Sequence, residues 1–289
     1  MHRREFIKNS LLAGGLAALG PFPHHLYASE KKKFANDVVE LGNTGIKVSR
    51  LAMGTGTHGV NKSSNQTRKL GVQGVADLLY AAYDQGVFFW DSADQYGTHP
   101  HLKEALKYVP REKVVILTKT HATTEEEMKA DLDRFRQELG TDYLDVVLLH
   151  YMTKDNWPQL KMGAMNVLSE AREEGLIKAH GVSCHTIGAL KAAAASDWVQ
   201  VDLARINPYG SRMDADVPEV VQVLKEMKKK GKSVMGMKIF GAGELTDKVD
   251  NCLEYALGND FIDCFTIGQE SMDQMKDLVK RIPEASIRT

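Results

Sequence analysis

The chain has 289 residues, 43% of them apolar and 26% charged, with a formal net charge of -1. This length and apolar content suffice for one large core, and a nearly neutral chain with scattered basic residues does not favour nucleic acid as a partner. The cysteines Cys184, Cys252 and Cys264 form no CxxC pair. The sequence therefore predicts neither a disulfide framework nor a structural zinc site.

The first thirty residues differ in character from the rest. Arg3 and Arg4 precede a mildly apolar stretch of small residues over 11–19, and a cleavage point is expected after Ala28. This order resembles a twin-arginine export signal and predicts residues 1–28 as a signal for the Tat machinery, with export to the periplasm or another extracytoplasmic compartment. The stretch is about half of the roughly 20 residues that a spanning helix needs, so no permanent membrane anchor is expected. A basic, frayed N-terminal helix is the alternative.

Residues 29–289 predict one domain of alternating strands and helices. A hairpin is expected first, over residues 38–48, with a turn at Asn43-Thr44-Gly45. Short apolar runs then predict eight strands, at 50–54, 87–90, 114–117, 144–149, 179–182, 203–206, 233–237 and 264–267. Helical stretches follow each of them, at 75–84, 101–107, 125–139, 160–174, 187–195, 219–230, 245–257 and 272–281.

Eight such units in roughly 250 residues predict the α/β class, as a (β/α)8 TIM barrel with an N-terminal β-hairpin. A Rossmann domain is not favoured, because no GxGxxG opens a helix after the first strand.

Four ionisable side chains, Asp91, Tyr96, Lys119 and His150, follow the ends of successive predicted strands. A parallel barrel places its chemistry at these strand ends. Tyrosine is a weak acid, with a pKa of about 10, unless a cation stabilises its phenolate. Lys119 can supply that cation, Asp91 can supply the counter-charge for Lys119, and His150 can donate a hydrogen bond to a substrate oxygen.

The set suits protonation of an oxygen that gains negative charge, as a carbonyl oxygen does on receiving a hydride. Protein side chains cannot supply a hydride, so a nicotinamide cofactor is implied. Each residue alone has an ordinary explanation, such as a loop tyrosine or a buried histidine satisfied by the backbone. Their shared placement at strand ends favours catalysis.

These motifs resemble those of the aldo-keto reductase family over residues 38–281. Residues 91–97, DSADQYG, look like the family's DxAxxYG motif, Lys119 stands in its TK pair, and His150 follows two leucines as the family's histidine does. The resemblance implies Tyr96 as general acid, Lys119 and Asp91 as its tuning pair, and His150 as the orienting donor. It also implies NAD or NADP as cofactor and a small carbonyl substrate, either an aldehyde, a ketone or a sugar.

The cofactor side departs from the family's pattern. Ser183 is followed by Cys184 where the family has Ser-Asn, and a thiol is a weaker donor than an amide. Leu203 and Met237 stand where the family has a glutamine and a stacking aromatic. A non-catalytic nicotinamide-binding or sensor barrel is therefore the alternative function.

The loops after the last two strands supply further cofactor candidates. Lys238 precedes a glycine-rich loop that either approaches the pyrophosphate or forms a plain tight turn. After the last strand no Lys or Arg is available to pair a 2'-phosphate, and Glu270 would repel one, so a strict NADP preference is not favoured. The cofactor-binding candidates are Gly54, Thr55, Ser183, Cys184, Lys238, Gly241, Gly243, Gly268 and Gln269.

The remaining expectations concern the substrate, metals and cofactor retention. Aromatic and imidazole side chains after strand ends predict a substrate pocket lined by His58, Tyr151, Trp157 and Tyr209. No metal is expected, because His99 and His101 lack a nearby ligand partner and are interpreted as an exposed loop after Tyr96. Tat export carries folded proteins, so a tightly bound nucleotide is expected.

Overall fold

A closed barrel of eight parallel strands forms the centre of the protein. The computed structural model describes residues 32–286, so the predicted export signal at 1–28 lies outside the described residues. The strand order around the barrel is β10-β3-β4-β5-β6-β7-β8-β9, and an antiparallel hairpin of β1 and β2 precedes it. The predicted (β/α)8 barrel with an N-terminal hairpin is confirmed.

The eight barrel strands are almost entirely buried, whereas β1 of the hairpin is mostly exposed. Their bounds are β1 Val38–Glu40, β2 Lys47–Ser49, β3 Leu51–Gly54, β4 Phe89–Asp91, β5 Val115–Thr120, β6 Leu144–Met152, β7 Ile177–Cys184, β8 Val201–Arg205, β9 Ser233–Met237 and β10 Cys264–Gly268.

Helices cover the outside of the barrel. Their bounds are α1 Asn65–Asp84, α2 His99–Ala105, α3 Glu125–Leu139, α4 Trp157–Leu160, α5 Met162–Glu173, α6 Ile187–Ala195, α7 Val217–Lys229, α8 Val249–Gly258 and α9 Met272–Ala285. Short 3-10 turns lie at Asp94–Tyr96, Arg111–Lys113 and Gly241–Gly243. Within residues 32–286, none of the helices is both long and apolar enough to cross a bilayer.

Several boundaries differ from the sequence prediction, and those of α1, β5 and β6 have a common physical reason in their polar residues. Helix α1 begins at Asn65, whereas the predicted start is 75. Apolar periodicity gives no signal there, because the first turns are polar and Gly71 interrupts them with φ 61° and ψ -172°. Strand β6 runs past the predicted end at 149 to Met152, and β5 runs past 117 to Thr120. Parallel pairing continues through the polar residues at the barrel mouth, where apolar patterning gives no signal.

The core has two layers. Side chains such as Phe89, Leu117 and Leu148 fill the barrel interior, and the hairpin residues Leu41 and Val48 close its bottom. The larger layer lies between the strands and the helices. Because successive side chains alternate between these layers, and the bottom is closed, the open end lies at the C-terminal ends of the strands.

Candidate active site

The four predicted acid–base residues meet at the mouth of the barrel. Asp91 ends β4, Lys119 lies within β5, His150 lies within β6, and Tyr96 ends the 3-10 turn that follows β4. Lys119 Nζ lies 2.5 Å from Asp91 Oδ1 and 3.4 Å from Tyr96 Oη, and it also donates to Ser92 O at 2.7 Å. The Tyr96 and His150 rings meet edge to face, with centroids 5.7 Å apart.

The loop after β3 holds the ring of Tyr96. A Cβ atom added at Gly56 or at Gly59 would overlap ring carbons of Tyr96, so only glycine allows the loop this close. Gly97 ends the 3-10 turn with φ 67° and lies against Lys62 O. No role for Gly56 and Gly59 is predicted from the sequence, because nothing local to the loop shows that a ring from the next unit packs there.

The protonation states suit an acid that acts near neutral pH. Burial raises the pKa of Tyr96 by more than the charge of Lys119 lowers it, so the phenol keeps its proton in the absence of ligand. Burial disfavours the ammonium of Lys119, but the charges of Asp91 and Tyr96 and the hydrogen bonds to both together outweigh burial and raise the pKa of Lys119. The expected tuning pair is present, although its effect on Tyr96 is smaller than that of burial.

His150 is a neutral imidazole. Burial, followed by the charge of Lys119, lowers the pKa of His150 well below its ordinary value. Its Nδ1 atom is buried without a hydrogen-bond partner among the described residues. A proton on Nδ1 would therefore have no hydrogen-bond acceptor. The neutral ring then carries its single proton on Nε2, which can donate a hydrogen bond.

Three positioning contacts were not predicted from the sequence. Thr266, on β10, donates to Asp91 Oδ2 at 2.9 Å. His121, just after β5, stacks on His150 with centroids 4.9 Å apart. Gln95 donates from Nε2 to Gly59 O at 2.7 Å, which leaves its oxygen to accept from His121 Nε2 at 2.6 Å. Thr266 could have been predicted from the sequence, because it is a polar residue at an inward position of an otherwise apolar strand.

A cavity of about 290 Å³ lies beside the tetrad. Its walls include Asp91 and Tyr96 and extend over the ends of β3, β10 and β9. The candidate residues that line it are Gly54, Lys238, Gly243, Gly268 and His58, together with Leu203 and Met237.

The other cofactor candidates lie elsewhere. Ser183 Oγ accepts from Tyr151 N at 3.1 Å, and Cys184 is buried in the layer between strands and helices. Thr55 donates to Asp91 O at 2.9 Å, and Gly241 packs against Ser211. None of the four lines the cavity. They therefore support the strand ends and loops rather than its walls.

Gln269 is a separate case. It is buried, and both polar atoms of its side-chain amide lack a hydrogen-bond partner among the described residues. A buried amide in this state has donors and an acceptor to offer to a ligand or to water.

The predicted substrate residues are also dispersed. Tyr151 is 53% exposed at the rim, and its ring contacts that of His185 at an interplanar angle of 43°. Tyr209 is 44% exposed, and its hydroxyl accepts from Asn251 Nδ2 at 3.0 Å. Trp157 is 2% exposed and donates from Nε1 to Ala189 O, so packing accounts for its position.

The interpretation of His99 and His101 as an exposed loop is wrong, because both are buried in α2. His99 lies 2.7 Å from Glu138 and 2.7 Å from Thr118. One ligand atom from each of Asp94, His99 and Glu138 falls within a 4.8 Å cluster. Arg134 binds both carboxylates there, at 2.6 and 2.9 Å, and supplies the cation that the cluster requires.

Lys238 contributes a positive charge to the cavity wall. It lines the cavity, and its ammonium has no hydrogen bond or ion pair within residues 32–286. Burial, then the charges of Arg205 and Lys119, lower its pKa. Lys238, Gly241, Ala242 and Gly243 all have positive φ, which forms a tight loop beside that ammonium. The ammonium of Lys238 and the backbone at Ala242 and Gly243, which line the cavity, fit the phosphates of a dinucleotide.

The geometry defines a class of protein, a (β/α)8 barrel with a Tyr–Lys–Asp–His acid–base site at its mouth. Residues 50–280 match the aldo/keto reductase family, and the chain belongs to that family.

Individual relatives are distant. An aldo-keto reductase of Alternaria alternata is 28% identical over 55% of this chain and 54% of its own length. A D-threo-aldose 1-dehydrogenase of a Pseudomonas species is 24% identical over 68% of this chain and 70% of its own. The chain thus spans about half the length of the first of these relatives. A solved structure from Pseudomonas aeruginosa, assigned to the same family, shares the fold with a TM-score of 0.72 at 21% identity, over 90% of this chain and 99% of its own.

Proposed function

We propose that this aldo-keto reductase is an NAD(P)-dependent oxidoreductase that interconverts a small carbonyl compound and its alcohol, with Tyr96 as general acid for reduction and general base for oxidation. The observation that carries the proposal is the position of Lys119 Nζ, 2.5 Å from Asp91 and 3.4 Å from Tyr96 Oη. Membership of the family supports the cofactor class and the reaction class.

The residues would act together on the substrate oxygen. Tyr96 donates its phenolic proton as negative charge develops there, and Lys119 stabilises the phenolate that remains. Asp91, held on its other oxygen by Thr266, keeps Lys119 charged. His150, as a neutral imidazole, donates a hydrogen bond from Nε2 to the same oxygen and orients it toward Tyr96.

A nicotinamide dinucleotide, when bound, supplies or accepts the hydride. Lys238 and the loop that follows it would hold its phosphates, beside the cavity wall formed by Gly54 and Gly268 at the ends of β3 and β10. We further propose that the nucleotide stays tightly bound, so that paired substrates recycle it in place. Release of nucleotide from the purified protein by denaturation, with mass spectrometry of the released species, tests this directly.

The decisive variant is Tyr96→Phe, which removes one oxygen and keeps the ring between Gly56 and Gly59. We expect turnover to fall by about 10²- to 10⁴-fold, while nucleotide affinity, measured by calorimetry, changes little. Tyr108→Phe is the matched control, because Tyr108 is 56% exposed and outside the site. If Tyr96→Phe retained turnover, Tyr96 would not be the general acid.

A second function is favoured by the cofactor side. Leu203 and Met237 give the cavity apolar walls, and Cys184 lies outside it. A barrel that binds nicotinamide as a sensor would show stable nucleotide binding and no turnover over a broad panel of aldehydes, ketones and sugars. Turnover of any of them at a rate that depends on Tyr96 excludes this alternative.

We also propose that residues 1–28 direct Tat export to the periplasm or an equivalent compartment. The support is the Arg3-Arg4 pair with the apolar stretch that follows it. Cell fractionation of the full chain, compared with an Arg3→Lys/Arg4→Lys variant that keeps the charge, tests it. An unchanged distribution in the variant would contradict the Tat assignment.

A further inference from the structure

Three histidines lie on the side of the tetrad that faces away from the cavity. His121 directly follows β5, His150 lies within β6, and His185 directly follows β7, so they come from three adjacent strands of the barrel. None of these three residues lines the cavity, which is bounded by the ends of β3, β9 and β10. If the cavity holds the nicotinamide dinucleotide, the carbonyl substrate approaches Tyr96 from the side of these imidazoles.

Contacts on two sides fix the ring of His121. It stacks on His150 at an interplanar angle of 26°. Gln95 donates from Nε2 to Gly59 O, so its Oε1 accepts from His121 Nε2 at 2.6 Å. Nε2 therefore carries a proton, and in the neutral ring Nδ1 is an acceptor. This Nδ1 atom has no hydrogen-bond partner within residues 32–286.

The ring nitrogens of His185 are also without protein partners. The ring of Tyr151 lies against it, with centroids 4.3 Å apart, but neither ring nitrogen forms a hydrogen bond to another described residue. Positive charge on either His121 or His185 would lower the pKa of His150, so both rings lie near it. The three rings thus form one polar surface beside Tyr96, which we call the imidazole surface.

The imidazole surface is uncharged at neutral pH. Burial, followed by the charge of Lys161, lowers the pKa of His121. Burial, followed by the charges of Arg205 and Lys238, lowers the pKa of His185 to about 3. The pKa of the third ring is lowered as well. Each ring therefore carries one N–H and one unprotonated nitrogen.

Two cations beside the imidazole surface are already bound to protein groups. Lys161 Nζ donates to His121 O at 2.7 Å, and Arg205 Nε donates to Asp214 Oδ1 at 2.7 Å. The ammonium of Lys238 lines the cavity instead. A carboxylate on the substrate would therefore compete with existing partners for either of the two cations.

Hydroxyl groups match the imidazole surface best. A hydroxyl can donate to an unprotonated ring nitrogen and accept from a ring N–H. An alkyl group would displace water from the same nitrogens without replacing its hydrogen bonds, which costs affinity.

We infer that the substrate is a carbonyl compound with hydroxyl groups on the carbons next to the carbonyl, as in an open-chain sugar, and that His121 and His185 determine this specificity. The inference rests on the proposed function. His121 Nδ1 accepts a hydrogen bond from one hydroxyl, the ring of His185 binds another, and His150 donates to the reacting oxygen.

The test compares three four-carbon aldehydes as substrates of the full-length protein, with NADH and with NADPH. Erythrose carries hydroxyl groups, butanal carries none, and succinate semialdehyde carries a carboxylate. We expect kcat/KM for erythrose to exceed that for each of the other two by about tenfold or more. A value for butanal or succinate semialdehyde that reaches that for erythrose overturns the inference and leaves the proposed function intact. Turnover of other carbonyl compounds but none of these three has the same meaning. No turnover of any carbonyl compound overturns the proposed function and the inference with it.

Two variants assign the preference to the named residues. His121→Phe keeps a ring that can stack on His150 and removes Nδ1, so the ratio of kcat/KM for erythrose to that for butanal should fall about tenfold, mainly through KM for erythrose. His185→Phe should lower the same ratio. His121→Asn places an amide oxygen near the position of Nδ1 and should restore part of it.

Tyr108→Phe is the surface control, since Tyr108 is exposed and outside the site, and circular dichroism verifies that each variant is folded. The ratio separates specificity from positioning, because displacement of His150 would lower kcat for both aldehydes alike. An equal fall for erythrose and butanal in His121→Phe and His185→Phe, or an unchanged ratio, overturns the inference.

Discussion

The two sides of the barrel mouth are built in different ways. On the side of β4, β5 and β6, the tetrad is joined by direct contacts between side chains on adjacent strands, such as the 2.5 Å pair of Lys119 and Asp91. On the side of β8, β9 and β10, the cavity is bounded by glycines, apolar side chains and the ammonium of Lys238. The acid–base side depends on particular functional groups, while the nucleotide side depends on backbone shape. Sequence departures from the family pattern accordingly concentrate on the second side.

Two buried carboxylates show the same contrast. Asp91 accepts from Lys119 on one oxygen and from Thr266 on the other. Asp202, on β8, has no cation and no N–H or O–H donor on either oxygen among the described residues, and only the weakly donating thiol of Cys184 lies beside it. Burial, followed by repulsion from Asp214, raises the pKa of Asp202 to about 8. The buried carboxylate of the candidate site, Asp91, is paired with a cation. The buried carboxylate outside the site, Asp202, has no cation and holds a proton at neutral pH.

The largest expected effect is that of Lys119→Met. It removes the cation beside Tyr96 and leaves Asp91 buried without a counter-charge, so we expect turnover to fall by about 10³-fold or more. Unfolding free energy should fall by about 3–5 kcal/mol, as for other broken buried ion pairs. Denaturant unfolding and steady-state kinetics measure the two losses. Turnover within tenfold of wild type would show that Tyr96 does not need this cation.

Gly56→Ala tests whether backbone shape matters on the acid–base side too. The added Cβ overlaps the ring of Tyr96, so the phenol must move, and a displacement of about 1 Å at a reacting group costs up to about 10²-fold in turnover. Nucleotide affinity should stay within a few-fold. Gly188→Ala is the control, because its Cβ would make an ordinary 3.4 Å contact with Asp155. Unchanged turnover in Gly56→Ala would mean that the loop after β3 moves to accommodate the methyl group without displacing Tyr96.

Thr266→Val links the two sides, since Thr266 reaches Asp91 from β10. It removes the donor at 2.9 Å and leaves Asp91 Oδ2 with one partner fewer. We expect kcat to fall about tenfold, the scale of one lost hydrogen bond to a charged group. Thr266→Ser restores the hydroxyl and should restore kcat, whereas a purely structural role of the methyl group would leave both variants alike.

The smallest expected effect on activity is that of Asp202→Asn. In the wild type the folded pKa of about 8 lies above the ordinary value, so the stability contributed by the protonated form is lost as pH rises toward 8. Asparagine cannot ionise, and the variant should gain stability relative to wild type between pH 5.5 and 8.5, by about 1–3 kcal/mol. Urea unfolding at the two pH values measures the difference. A pH-independent difference would contradict the assigned ionisation.

The sequence predicts the tetrad because its signal is local. Apolar runs end at Trp90, Leu117 and Leu149, and the polar residues that follow face the mouth in any parallel barrel. The capping box of Thr124 and Glu127 at the start of α3 is a local signal of the same kind, since its two residues are three apart in the chain. Boundaries were predicted less well where strands continue through polar residues, as in β6, or where a helix begins with polar turns, as in α1.

The cofactor candidates show why the remainder needed the tertiary structure. Ser183 and Cys184 are adjacent in β7, yet consecutive side chains of a strand point to opposite faces, and Cys184 belongs to the outer core. Which of two neighbours faces the mouth depends on the register of the whole barrel. The same applies to Trp157, which follows a strand end but is buried among helices.

The sequence by itself therefore determined the barrel, the hairpin and the four acid–base residues, because periodicity and strand-end position are properties of neighbours in the chain. Three sets of contacts are visible only in the tertiary structure. Gly56 and Gly59 pack against the ring of Tyr96, and Thr266 donates a hydrogen bond to Asp91. Glu270 contacts Asn65 and Lys69. Thr266 and Asp91 are 175 residues apart, and Glu270 and Asn65 are 205 apart. Barrel closure, which pairs β10 with β3, brings such residues into contact.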